Sequence, residues 1–323
     1  MWPEVFFGLL GGGLGLVLTL MGIKLDTRLL QQTLTESKLR ITKVGFLHYI
    51  AAPASAVITS RLLGLNEPRT LALYLVSITP PTVAASIATF AIGGNVELAT
   101  TSSIIMLVAS FAAMPLIFGG MIEMTFRGSS VKRIEVPYPE MCTVLGFFVV
   151  CKGVGVSIQK YCGCREISKK RVERALKYGA GACMLSGFTI FFVKCRALVK
   201  STFYRGPGWQ QHYAGCVIFM ALYILASIFI VHDEYEARNS DAIIITALRK
   251  NPGITLSVAA LSFRRLDDDD YTTAMGMLLA YSFILDWCGA PVILILRKLR
   301  KGYYCCKPQI TEPRGGGDIE LQI

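Results

Sequence analysis

The chain has 323 residues, of which 53% are hydrophobic and only 17% charged, and its mean hydropathy is +0.51. Soluble domains carry about 25% charged residues, so a soluble globular domain is excluded and the composition reads as an all-α polytopic membrane protein. A net charge of +11 would suggest nucleic acid in a soluble chain. Here the Lys and Arg stand between apolar segments, where topology and lipid headgroups account for them and no nucleic-acid partner is expected.

In chain order, segment one covers about 5–25, with Gly11-Gly12-Gly13 letting a neighbouring helix approach closely. A polar loop, 26–43, follows. Segment two is about 44–65, with His48 and Pro53 in its first half, and Asn66-Glu67-Pro68-Arg69 reads as a tight turn. Segment three, about 70–92, carries Thr79-Pro80-Pro81-Thr82 at its middle. Two prolines cannot continue a hydrogen-bonded helix, and a break at bilayer depth is tolerated only in a protein interior or beside a wet cavity. Gly93-Gly94-Asn95 turns the chain into segment four, about 96–121, with Glu97 near its start.

After a polar loop at 123–140, segment five is about 141–158 and contains Lys152. A basic loop (160–177) leads to segment six, about 178–193, and the loop 194–208 to segment seven, about 209–231. Segment eight, about 242–263, holds Arg249-Lys250-Asn251-Pro252-Gly253 at its centre, two cations followed by a helix break. Asp267 to Asp270 precede segment nine, about 272–296, which carries Asp286. The tail 304–323 reads as disordered. Its Cys305 and Cys306 suit palmitoylation beside a basic patch, or are two exposed thiols. Cys162 and Cys164 have no partner at a zinc spacing, so no metal site is expected there. Met1-Trp2-Pro3-Glu4 lacks the positive start of a cleavable signal.

Nine spans put the termini on opposite sides. With the N-terminus outside, the inner loops collect about seventeen Lys and Arg and the outer loops about ten. The expected placement is therefore an integral protein of the plasma membrane with a cytoplasmic C-terminus. Charges at bilayer depth are costly and mark function; the plainer reading of Arg249 and Lys250 is that they snorkel outwards. Segments three and eight run in opposite directions, and both are interrupted. Such a pair points to a secondary-transporter site at the midplane, against the alternative of two unrelated proline kinks. No His/Cys/Asp/Glu constellation stands at catalytic spacing, so an enzyme is not expected.

The run SITPPTVAASIATFAIGGNVEL (77–98), preceded by Met21-Gly22-Ile23-Lys24-Leu25 and by 62–65, resembles the bile acid:sodium symporter family. That family has a CCPGG…SN broken helix followed by a GN-V-L turn. The equivalents here are Ile78-Thr79-Pro80-Pro81-Thr82 with Ala85-Ser86, then Gly94-Asn95-Val96-Glu97-Leu98. The family's acidic E-x-G-x-Q-N-x-G falls on Thr246-Ala247-Leu248-Arg249-Lys250-Asn251-Pro252-Gly253, and the resemblance runs from about Phe7 to Ile295. Nine spans with the N-terminus outside look like the animal branch of this family.

The resemblance implies one transporter domain over 1–303, with a core (44–121 and 209–296) in which the broken helices cross, and a panel (5–25 and 141–193) beside it. Substrate would sit in the crevice between them and move by alternating access. The implied substrate is a small organic anion, such as a sulfated or carboxylated steroid; the lipid bilayer is the surrounding partner, and a homodimer stays open. No organic cofactor is implied. The crossing would comprise Pro80, Pro81, Thr82, Ser86, Arg249, Lys250, Asn251, Pro252 and Asp286.

Sodium is the family's coupling ion, and its ligand positions carry over poorly. The bridging acid falls at Thr246, the glutamine at Lys250 and a neighbouring backbone ligand at Arg249. A second glutamine falls at His48, the serine and asparagine of the first motif at Ala85 and Ser86, and the segment-four ligands at Ala99 and Ser103. Hard cations take oxygen ligands, and only Ser86, Ser103 and Thr246 supply side-chain oxygens. Two unit charges about 4 Å apart at an effective dielectric near 20 repel by roughly 4 kcal/mol, so at least the second sodium site is expected to be absent. Asp286, where the family has asparagine, and Glu97 are candidate counter-ions for the two cations; the alternative for Asp286 is an exposed carboxylate. Lys152 either faces the crevice or snorkels. Two functional readings follow: an organic-anion transporter in which ordinary sodium coupling is not expected, and a non-transporting binding or interaction protein on the same fold.

Overall fold

A computed structural model describes residues 27–82, 84–126, 138–162, 209–234, 236–263, 266–267 and 269–281, with isolated positions between 15 and 23, between 171 and 182, and at 284. Most of segments one and six, Asp286, Cys164, Cys305, Cys306 and the tail lie outside the described residues.

The described chain is helical, without a named strand. α1 (Thr27–Glu36) and α2 (Lys38–Phe46) lie where the sequence reads as a polar loop. Leu30, Thr33, Ser37, Ile41 and Val44 turn inwards at three- and four-residue spacing, so a narrow helical stripe is hidden in a polar composition. α2 runs through a π-turn, Leu47–Ala51, into α3 (Ala52–Leu62). Pro53 has no N–H to close the turn onto Tyr49, and the wider turn absorbs that missing bond. His48 sits in this π-turn and is fully buried.

The expected turn at 66–69 is shorter than the sequence suggests. Asn66 is extended, and α4 (Glu67–Ile78) starts directly after it with Pro68 in its first turn, a position where the missing N–H costs nothing. α4 ends at Ile78, and α5 (Ala84–Ala91) resumes after the proline pair. α6 (Val96–Phe126) and α7 (Tyr138–Cys162) pack against each other. α8 (Trp209–Ile230) buries His212, Cys216, Phe219, Tyr223 and Ser227 on one face, while Val217, Leu225 and Phe229 stand exposed on the other, as a lipid-facing helix requires. α9 (Ala237–Leu248) begins inside the expected 232–241 link, and α10 (Pro252–Ser262) follows the second break. A further helix, α11, covers 269–281.

Four described helices are long and apolar enough to cross a membrane: Lys38–Leu62, Val96–Phe126, Met141–Tyr161 and Trp209–Ile230. Each half of a broken span is too short to cross alone, since 12 residues rise only about 18 Å. α4 and α9 are buried almost all round, from Pro68 to Ile78 and from Asn239 to Leu248, so the two broken spans form the centre of the bundle.

The far ends of these spans are tied together. Gly93 has φ +72, a left-handed conformation open to glycine at little cost, and closes α5 by donating to the Phe90 carbonyl at 2.9 Å. Asn95 N then donates to the Arg238 carbonyl at 3.0 Å, and its side-chain amide to Asn239 Oδ1 at 2.8 Å. Its own Oδ1 accepts from Leu98 N at 2.9 Å, capping α6. The GN-V-L turn therefore binds the start of α9, the other broken span. On the polar surface, Arg40 pairs with Glu234 at 3.0 Å and Lys43 with Asp233 at 2.6 Å; the Lys43 hydrogen bond holds the exposed Asp233 carboxyl below its usual range.

Candidate functional site at the crossing of the broken helices

Both breaks are made by local chemistry. In α4 the carbonyls of Val76 and Ser77 would accept from residues 80 and 81, which are prolines without N–H. Thr79 N turns back to Val76 O at 3.3 Å, which leaves the Ser77 carbonyl free. In the second span Arg249 adopts φ −81, ψ 83, and Lys250 N donates to Leu248 O at 3.0 Å, an inverse γ-turn. Asn251 is extended, and its Oδ1 accepts from Ile254 N at 3.2 Å, capping α10.

The two breaks satisfy each other. Pro81 and Lys250 form an antiparallel bridge: Thr82 N donates to the Arg249 carbonyl at 2.7 Å, and Asn251 N to the Pro80 carbonyl at 3.0 Å. Backbone freed inside a bundle needs such partners. The bridge pairs the two breaks in antiparallel sense. Thr79 and Thr255 add a contact between hydroxyls at 3.0 Å. Asn251→Ala should cost about 1 kcal/mol of stability through the lost cap, read as a lower unfolding midpoint, with Asn251→Ser retaining most of the wild-type value.

Extended backbone alternates sides, and the two cations part accordingly. Lys250 is 1% exposed; Arg249 is half-buried. Lys250 Nζ lies 2.6 Å from His48 Nδ1 and donates to the orphaned Ser77 carbonyl at 2.8 Å. It stands 5.3 Å from the centre of the Tyr223 ring, whose hydroxyl donates to the Ala247 carbonyl at 3.1 Å. Nε2 of the His48 ring is buried with no hydrogen-bond partner among the described residues. Tyr49 meets His48 edge-on at 4.7 Å and donates to the Met106 carbonyl at 2.7 Å. One amine thus joins α2–α3, α4, α8 and the second break. Among the described residues no carboxylate pairs with it.

The remaining candidates divide. Pro80, Pro81, Thr82, Arg249, Lys250, Asn251 and His48 meet at the crossing. Pro252 opens α10 beside them. Thr246 is fully buried, and its hydroxyl has no hydrogen-bond partner among the described residues. Ala85 is buried against Ile245. Ser86 Oγ lies 2.9 Å from Thr100 Oγ1, Ser103 donates to the Ala99 carbonyl at 2.8 Å, and neither serine bonds to Lys250. Glu97 does not neutralise the cations: it is exposed in the first turn of α6, where a helix N-terminus favours an acid. Asp286 lies outside the described residues; Lys152 is half-buried on α7.

Sequence reading missed Tyr223 and the Ser77 carbonyl. Nothing marks Tyr223 inside an apolar segment. Ser77 was readable, because a proline four residues on orphans its carbonyl.

Comparison with protein-family models matches residues 11–267 to the SBF-like CPA transporter family. No curated protein matches the chain.

Proposed function

The chain belongs to the SBF-like CPA transporter family, and from that premise we propose that it carries a small organic anion, of the bile-acid or steroid-conjugate type, across its membrane by alternating access without sodium as the coupling ion. The observation that carries this reading is the Lys250 amine on His48 Nδ1 and the Ser77 carbonyl. A sodium ion is held by several oxygens at once. At the positions the family resemblance assigns to it, Ala85 and Ala99 offer no side-chain oxygen. Ser86 and Ser103 offer only neutral hydroxyl oxygens, and the free carbonyl of the first break accepts from Nζ. Of these positions, Thr246 has a hydroxyl with no hydrogen-bond partner among the described residues. A few neutral hydroxyls beside a buried amine are a poor set for a sodium ion, which supports the reading.

The bridge and the Lys250 contacts also support a rigid core. Two broken helices joined through backbone and side chain move as one body, and segments one, five and six are the proposed panel against which they rock. Lys152 on α7 then belongs to the panel face, with a charge suited to an acidic substrate.

The test is uptake of labelled taurocholate or estrone sulfate in cells displaying the protein, with sodium replaced by choline. Uptake should be unchanged within about twofold, a difference below 0.5 kcal/mol. Clear stimulation by sodium would overturn the absence of sodium coupling. A second reading, a binding or interaction protein on the same fold, is favoured by the same loss of ligand positions; it predicts no uptake of any anion by protein that reaches the surface.

A further inference from the structure

A second cluster of buried nitrogen lies away from the crossing. α4 starts at Glu67 and α8 at Trp209. A Cβ on Gly215 would meet Leu65 Cδ1 at 3.6 Å and Leu63 Cδ1 at 3.9 Å, so the first turns of α8 stand beside the turn leading into α4. Each helix buries one nitrogen-bearing side chain there. Arg69 is 8% exposed and His212 5%. Arg69 Nε and both ring nitrogens of His212 are buried with no hydrogen-bond partner among the described residues, and the two side chains lie near enough to interact through charge. From Arg69 to Thr79 is ten residues of one helix, about 15 Å, so this cluster is not part of the crossing.

Arg69 and the N–H of His212 both offer donors to a ligand. A guanidinium has only donors, and a buried one is ordinarily paired with an anion. The starts of α4 and α8 add the positive ends of two helix dipoles. Glu67 and Asp270 lie close to one another near this end, and among the described residues neither forms an ion pair with Arg69. Their negative charge favours a singly charged ligand over a multiply charged one.

We propose that Arg69 and His212, with the first turns of α4 and α8, form a site for a singly charged oxyanion, a carboxylate, sulfate ester or phosphodiester, either free or borne by a lipid headgroup. The site is independent of whether the chain transports. Its test uses the full chain purified in uncharged detergent, with the unfolding midpoint followed against acetate or methyl sulfate at fixed ionic strength and, in a parallel arm, against phosphatidylglycerol with phosphatidylcholine as control. Wild-type protein should show a saturable rise in one arm; a rise only with free anions assigns a soluble ligand, and a rise only with phosphatidylglycerol assigns the headgroup. Arg69→Gln should abolish the rise while its ligand-free midpoint stays at or near wild type, since among the described residues Arg69 has no ion-pair partner to lose. His212→Gln should weaken apparent affinity about tenfold, the factor one lost hydrogen bond to a charged ligand gives, and serves alone if the arginine variant does not fold. No saturable rise in either arm, or a rise retained by both variants, overturns the site.

Discussion

Lys250→Ala is expected to lower the stability of the purified protein by about 3 kcal/mol, and Lys250→Met by roughly half as much. Alanine removes a stem that stands over the Tyr223 ring and leaves a cavity at the centre of the bundle. It also strips the donor from His48 Nδ1 and the Ser77 carbonyl, and the prolines at 80 and 81 leave that carbonyl no backbone donor in its own helix. Methionine keeps the stem and loses only the hydrogen bonds, so the order of the two variants separates packing from polar satisfaction. Removing a desolvated amine works in the other direction; if that term dominated, both variants would be more stable than wild type, and the amine would not be what holds the crossing. The contact with His48 is isolated by the cycle His48→Ala, Lys250→Ala and the double variant, with an expected coupling of about 1.5–3 kcal/mol. Strictly additive losses would count against the contact.

The two breaks were legible because proline acts locally. Pro80-Pro81 and Pro252 remove specific N–H groups, so α4 had to end near Ile78 and α10 to start near Asn251 whatever the neighbours do. The turn at Gly93-Gly94-Asn95 was legible because glycine also acts locally, Gly93 taking the left-handed conformation that ends α5. The contacts made by Lys250 were not. Two adjacent cations in a sequence look alike, and only the extended backbone of the bridge sends one into the bundle and leaves the other half-buried. The helices α1 and α2 were missed because a stripe of four buried positions and one half-buried one is diluted by polar neighbours, and apolar content was the signal being read. The start of α9 was missed because Asn239 and Asp241 read as link residues; burial of Asn239 is stabilised by Asn95 from the other half of the chain, a long-range contact with no local trace.

Restoring oxygen at the crossing should restore sodium sensitivity. In the double variant Thr246→Glu, Lys250→Gln, anion uptake is expected to rise at least tenfold with sodium, where wild-type uptake is indifferent to it. Thr246 lies four residues before Lys250, is fully buried and has no hydrogen-bond partner for its hydroxyl among the described residues, so Thr246→Glu adds a buried negative charge that the Lys250 amine is no longer there to meet. Glutamine at 250 replaces a donor-only group by a carbonyl oxygen and releases the Ser77 carbonyl from Nζ. A cation about 4 Å from the new carboxylate, at an effective dielectric near 20, gains roughly 4 kcal/mol, and a tenfold effect needs only about 1.4 kcal/mol of that. Glutamate is larger than threonine, and overpacking a filled interior costs about 1–3 kcal/mol, so uptake is normalised to protein at the cell surface. Lys250→Gln alone should remove the amine without creating sodium dependence, because it supplies one oxygen and no negative charge. A folded, surface-displayed double variant that still ignores sodium would show that Thr246 and Lys250 do not stand where relatives hold the ion, and the amine at the crossing would then need an explanation other than replacement of a cation.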